Sequence, residues 1–165
     1  MNDDWKGMTW RQFGAAIDML ENAVRACPDS LWEDDSRHPQ FWHAAFHALF
    51  FLDLYLSESD KGFAPPPPFE ISELDPNGRT PARTYTKSEI AGYFAHCRKK
   101  CRDTILGMSP ERAARPCGFY WLKLTDAELL LYNMRHVQHH AAQLNLILRQ
   151  TTDSAPGWVS QVKTP

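Results

Sequence analysis

At 165 residues, with 43% hydrophobic and 23% charged side chains, the chain has the size and composition of one domain able to bury a sizeable core. A formal charge of −2 and a single short basic cluster (Arg98, Lys99, Lys100 and Arg102) give no polyanion-binding surface, so no nucleic-acid partner is expected. The acidic start MNDDWKG lacks the apolar run of a signal peptide, and four cysteines are few for a disulfide scaffold of this length; a reduced, cytoplasmic protein is expected.

The first helix is expected from Thr9 to about Ala26, where Trp10, Phe13, Ile17, Leu20 and Val24 recur at spacings of three and four. Cys27-Pro28-Asp29 ends it, and an acidic, polar connector follows. Pro39 is expected in the opening turn of the second helix. From Phe41 to Leu56, only His43, His47 and Asp53 interrupt thirteen apolar residues. That run is shorter than the ~20 residues of a membrane span, so no membrane partner is expected. A helix apolar nearly all round must be covered on more than one side, and a second subunit is expected to supply part of the cover, giving a homodimer. With His47 at 0° on a helical wheel, His43 lies at about −40° and Asp53 at about −120°. Both histidines can therefore point inward, while Asp53 faces elsewhere.

Ser57 to Tyr85 is the longest break, and it holds six of the twelve prolines. Such a stretch is extended and irregular, and long enough to run the length of a bundle, which makes the helices on either side parallel. Thr86 and Glu89 form a capping box that opens a third helix ending near Gly107. Its apolar face is Ile90, Tyr93, Phe94, Cys97, Cys101, Ile105 and Met108. Cys97 and Cys101, with His96 beside them, read as packed small residues in preference to a second metal site. Ser109-Pro110-Glu111 starts a short helical turn, and the aromatic connector Phe119-Tyr120-Trp121 leads to the last helix.

That helix begins at a second capping box, Thr125 and Glu128, and runs to Arg149. Its core-facing stripe carries an anomaly. With His136 at 0°, His140 lies at about +40°, between Leu129 and Ile147 at about +20°. Side chains four apart stand above one another, so both imidazoles reach one point in space. Two histidines on a dry face must each find partners, and a shared metal ion satisfies both. A third ligand must come from elsewhere; His43 and His47 are the candidates, and spacing does not choose between them. The tail, residues 151–165, is irregular, with Trp158 as its expected anchor. These readings give an all-α fold: a single domain over residues 1–165, with a core of about 9–150, built as an up-down-down-up four-helix bundle with a long crossover between helices two and three.

The segments FWHAAFHALFFLDLYL and LLLYNMRHVQHHAAQL, placed on helices two and four around a long crossover, resemble the DinB/YfiT-like metal-binding superfamily over roughly residues 9–150. The resemblance implies one ligand from the second helix and an HxxxH pair from the fourth, which are His47, His136 and His140 here. His47 is preferred to His43 because HALFFLD resembles the segment that follows the family ligand. HHAAQ stands where many members have HHRGQ or HHGGQ; Gln143 is retained. Some relatives transfer low-molecular-weight thiols such as bacillithiol, or isomerise maleylpyruvate with mycothiol. The resemblance thus implies a divalent-metal protein that acts on a small molecule as a thiol transferase or hydrolase, or else a non-catalytic metal-binding or stress-related protein.

Three imidazoles leave a metal with an open position, zinc being the first expectation and nickel the second. Gln143, with Asn133 and Tyr132 near it, is the local candidate to accept the remaining imidazole protons. His139, at the edge of the stripe, reads as a surface residue or a neighbour of the ligands in preference to a ligand, and Arg135 as a partner in a structural salt bridge. No HExxH motif is present, which argues against a protease, and no acid or base stands out as catalytic.

Overall fold

The computed structural model describes residues 4–162, so the first three residues of the acidic start and the last three of the tail lie outside the described residues. Four long helices form the bundle: α1 (Asp4–Ala26), α3 (Phe41–Tyr55), α4 (Lys87–Leu106) and α6 (Asp126–Thr152). Two short helices, α2 (Asp29–Trp32) and α5 (Pro110–Ala114), link them. Among the described residues there is no strand, and no helix is long and apolar enough to cross a membrane.

Side-chain pairings fix the directions. Arg98 of α4 reaches Asp18 and Glu21 of α1 at 2.7 and 2.6 Å, while Lys87, at the start of α4, reaches Asp29 just beyond the end of α1. Those two helices are antiparallel. Tyr85 packs on Trp42 and Phe46 early in α3, and Asp53 near its end meets His96 and Lys100 further along α4, so α3 and α4 run parallel. Between α3 and α6 the order reverses: His47 lies beside His140, and Tyr55 beside Tyr132. The result is the up-down-down-up bundle, with α1 and α3 on one diagonal and α4 and α6 on the other.

Both capping boxes form as the sequence implies, at Thr86 with Glu89 and at Thr125 with Glu128. Elsewhere the boundaries shift. The first helix starts five residues before Thr9, because Trp5 packs against the core and extends the apolar seam backwards. Pro39 lies outside α3, whose N-cap is Gln40. The acidic connector after α1 contains α2, which buries Leu31 and Trp32 and lets the Trp32 indole donate to the Tyr85 carbonyl at 3.0 Å. The last helix continues three residues past Arg149 and stops at Asp153, whose φ of 56° is left-handed. Trp158 is 73% exposed and anchors nothing; Val162 instead packs on Gly14 and donates its N–H to the Arg11 carbonyl at 2.9 Å.

Twelve of the fifteen residues of α3 are buried within the one chain. The crossover covers part of α3 from within the chain: Phe63 packs on Phe50, and both Phe69 and Tyr85 pack on Phe46. Each such aromatic contributes about 1.5–3 kcal/mol through burial. On the α4 side, the buried Asp53 accepts from Lys100 at 2.6 Å, Tyr93 at 3.1 Å and His96 at 3.2 Å. It faces away from the α6 histidines, as its wheel position implies. Cys97 and Cys101 are buried free thiols; burial pushes both well above the ordinary thiol range, so neither is a ready ligand.

Candidate metal centre

The helical pairing of α3 with α6 decides which histidines meet. His47 projects toward α6, and its ring centroid lies 4.8 Å from that of His140 and 5.5 Å from that of His136. One ring nitrogen from each of His47, His136 and His140 lies within 4.8 Å of the other two, an arrangement able to hold a metal ion. No other such group of His, Cys, Asp or Glu side chains occurs among the described residues. His43 takes no part in it. Its ring stacks on Trp42 and Phe46, and its Nε2 donates to Glu73 Oε1 at 2.8 Å.

Glu73 is the residue that the sequence did not reveal. It sits in a short 3-10 turn, Ser72–Leu74, midway along the crossover, and its side chain is only 8% exposed. Its second oxygen accepts from His47 Nδ1 at 2.5 Å. Burial opposes its charge, but the two imidazole hydrogen bonds outweigh that and hold the carboxyl down to about 2. An ionised carboxylate only accepts, so His47 carries its proton on Nδ1 and presents Nε2 as a bare lone pair.

The α6 pair tests whether a cation fits. His136 and His140 face each other Nε2 to Nε2 at 3.1 Å. Burial, reinforced by the neighbouring histidines, pushes His136 down to about 3 and His140 to about 4, so both rings are neutral at physiological pH. Neutral imidazole is the ligating form, and two lone pairs at that separation repel unless a proton or a metal ion lies between them. The donor set therefore fits a divalent ion. The Nδ1 atoms of both rings are buried without a hydrogen-bond partner, so the expected acceptors are absent for this pair. Gln143 is exposed and favours protonation of His140 without closing a bond to its Nδ1, and Asn133 donates its Nδ2 to the Leu52 carbonyl at 3.0 Å while its Oδ1 is buried without a partner.

Aromatic rings wall one side of the centre. Phe51 and Tyr55 pack on His136, and Tyr55 in turn meets Tyr132 and Phe119. Burial pushes the Tyr55 hydroxyl up to about 12, so it stays protonated. A surface cavity of about 800 Å³ lined by α1, α4 and the tail touches none of the three histidines.

The sequence pattern of the DinB superfamily matches residues 12–144. The chain belongs to the DinB superfamily. The DinB match takes in the crossover and ends at Leu144, so it includes His47, His136, His140 and Glu73. No curated protein and no solved structure gives a significant match to this DinB-superfamily chain.

Proposed function

We propose that the protein binds one divalent metal ion through His47, His136 and His140, and that this centre acts on a small molecule as a thiol transferase or hydrolase. The observation that carries the reading is the convergence of three ring nitrogens within 4.8 Å, two of them on rings held neutral by burial. Zinc is the first assignment and nickel the second, since imidazole nitrogen suits both. A bound ion of this kind supplies Lewis acidity, which makes a thiol or a water nucleophilic near neutral pH. The chain's own residues prepare the site. Glu73 fixes the tautomer and direction of His47, and Phe51 and Tyr55 hold the His136 ring in place. The His47 side chain is 34% exposed, which gives a small molecule a route to the centre. The four free cysteines support a reducing, cytoplasmic setting.

One observation favours a non-catalytic metal-binding protein instead. Both oxygens of Glu73 are engaged by imidazoles, so the nearest carboxylate is not free to move a proton. A cobalt-substituted sample titrated with small thiols separates the two readings. A saturable thiolate charge-transfer band, lost in His136→Ala, supports the transferase; exchange of water and simple anions without thiol supports the hydrolase. A visible spectrum that no thiol or anion perturbs would show a closed, non-catalytic site.

A further inference from the structure

His136 does more than face His140: it also lines an open surface cavity of about 410 Å³, together with Tyr132, Arg135, Gln138 and His139. An occupant of that cavity lies against the metal centre proposed above, on which this inference rests. The cavity's charge is one-sided. A structural salt bridge was the sequence expectation for Arg135, but its helical neighbours three and four positions away are Leu131, Tyr132, Gln138 and His139, none of them acidic. Among the described residues Arg135 has no carboxylate partner. Nearby acids are committed elsewhere: Glu128 to its capping box, Glu73 to His43 and His47.

The other lining groups leave the guanidinium unopposed. Gln138 turns its amide to the Met19 sulfur at 3.5 Å, and His139 sets its ring edge-on to His140. Tyr132, held edge-to-face by Tyr55 with centroids 5.4 Å apart, offers an aromatic wall one turn from Arg135. A planar fork of N–H donors matches a carboxylate bidentately, and an unpaired arginine beside an aromatic ring suits an anion carrying a flat apolar group. We propose that Arg135 is the anion-recognition residue of this centre, and that the small molecule it selects is an organic carboxylate whose flat or apolar part lies on Tyr132. The carboxylate binds at Arg135 and Tyr132 orients the rest, so that the substrate's reacting end is directed toward His136 and its two partners. A neutral or cationic analogue of the same shape gains nothing from Arg135.

Benzoate serves as the probe and benzamide as its neutral counterpart, titrated into metal-free and zinc-loaded protein while backbone amide NMR shifts are followed. Benzoate is expected to shift the amides of residues 132–139 and to bind about three- to fivefold more tightly than benzamide, as a solvent-exposed charge pair implies. Arg135→Gln should remove that advantage and Arg135→Lys should keep part of it. Arg149→Gln, an exposed arginine on the same helix outside the cavity, should leave it unchanged. Arg135 is exposed, so its replacement does not threaten the fold. Equal affinity for the two probes, benzoate affinity indifferent to Arg135→Gln, shifts confined to another surface, or no saturable shift at all would each overturn the proposal. The metal-free arm keeps the two readings apart. Benzoate discrimination without zinc binding removes the metal centre and leaves the anion site, whereas zinc binding without discrimination does the reverse.

Discussion

Removing the Glu73 carboxylate should weaken metal binding without unfolding the bundle. The residue lies in the crossover, 8% exposed, and accepts from His47 Nδ1 at 2.5 Å and from His43 Nε2 at 2.8 Å. Losing an outer-shell partner of a ligating histidine costs about 10–100-fold in metal affinity, or roughly 1.4–2.7 kcal/mol. Glu73→Ala should fall in the upper part of that range. It frees the His47 ring to turn, and it removes the carboxylate that holds the proton on Nδ1. Glu73→Gln keeps the shape but offers one accepting oxygen where two imidazoles now donate. If that oxygen serves His47, the loss should be nearer tenfold; the two variants are therefore ordered, alanine the weaker binder. Zinc competition against a chromophoric chelator at about pH 7 measures both, with circular dichroism to report the fold. Affinities within about twofold of the parent for both variants, with the fold intact, would refute the role given to Glu73.

Acid should destabilise the metal-free protein. His136 and His140 titrate at about 3 and about 4 against an ordinary value of 6.5, so the unfolded chain binds protons that the folded chain rejects. Their contribution is fully present above 6.5 and falls as pH drops toward 3; after allowance for solvent at these half-buried rings it is about 1–2 kcal/mol each. A urea midpoint that fails to drop between about pH 7 and about pH 5 would contradict this. Gly118→Ala should cost about 1–3 kcal/mol, because a Cβ there meets the Glu58 carbonyl at 2.1 Å and backbone cannot yield cheaply. Thermal melting reads that loss, and an unchanged melting temperature counts against the close approach. Lys100→Met strands the Asp53 carboxylate, 1% exposed, without its cation, and should cost about 3 kcal/mol, part of which the double variant with Asp53→Asn recovers. A cost below about 1 kcal/mol in denaturant unfolding would mean that Tyr93 and His96 suffice.

Much of the fold was legible because its signals are local. The capping boxes at Thr86 and Thr125 place the starts of α4 and α6, and the proline-rich break forces the crossover that makes α3 and α4 parallel. The His136 and His140 pair follows from spacing alone. Choosing His47 over His43 required the resemblance, since both lie on the inward face; the structure separates them by what stands opposite, α6 for one and Trp42, Phe46 and Glu73 for the other. Glu73 was not legible, because an acid in an irregular segment has no periodicity to say where it points. The same holds for α2, whose Leu31 and Trp32 are too few to show a period, and for the tail, where Val162 rather than the larger Trp158 finds a niche against Gly14. The aromatic cover that the crossover brings back to α3 was equally hidden, because Phe63 and Phe69 lie in the same irregular segment.

The central claim is the three-histidine metal centre, and elemental analysis of gently purified protein tests it most directly. The parent should carry about one divalent ion per chain, and His47→Ala, His136→Ala and His140→Ala should each lose most of it, because two imidazoles are too few to retain the ion. His43→Ala should keep it, since that ring reaches Glu73 and not the triad. Full occupancy in all three triad variants, with the fold preserved, would contradict the account.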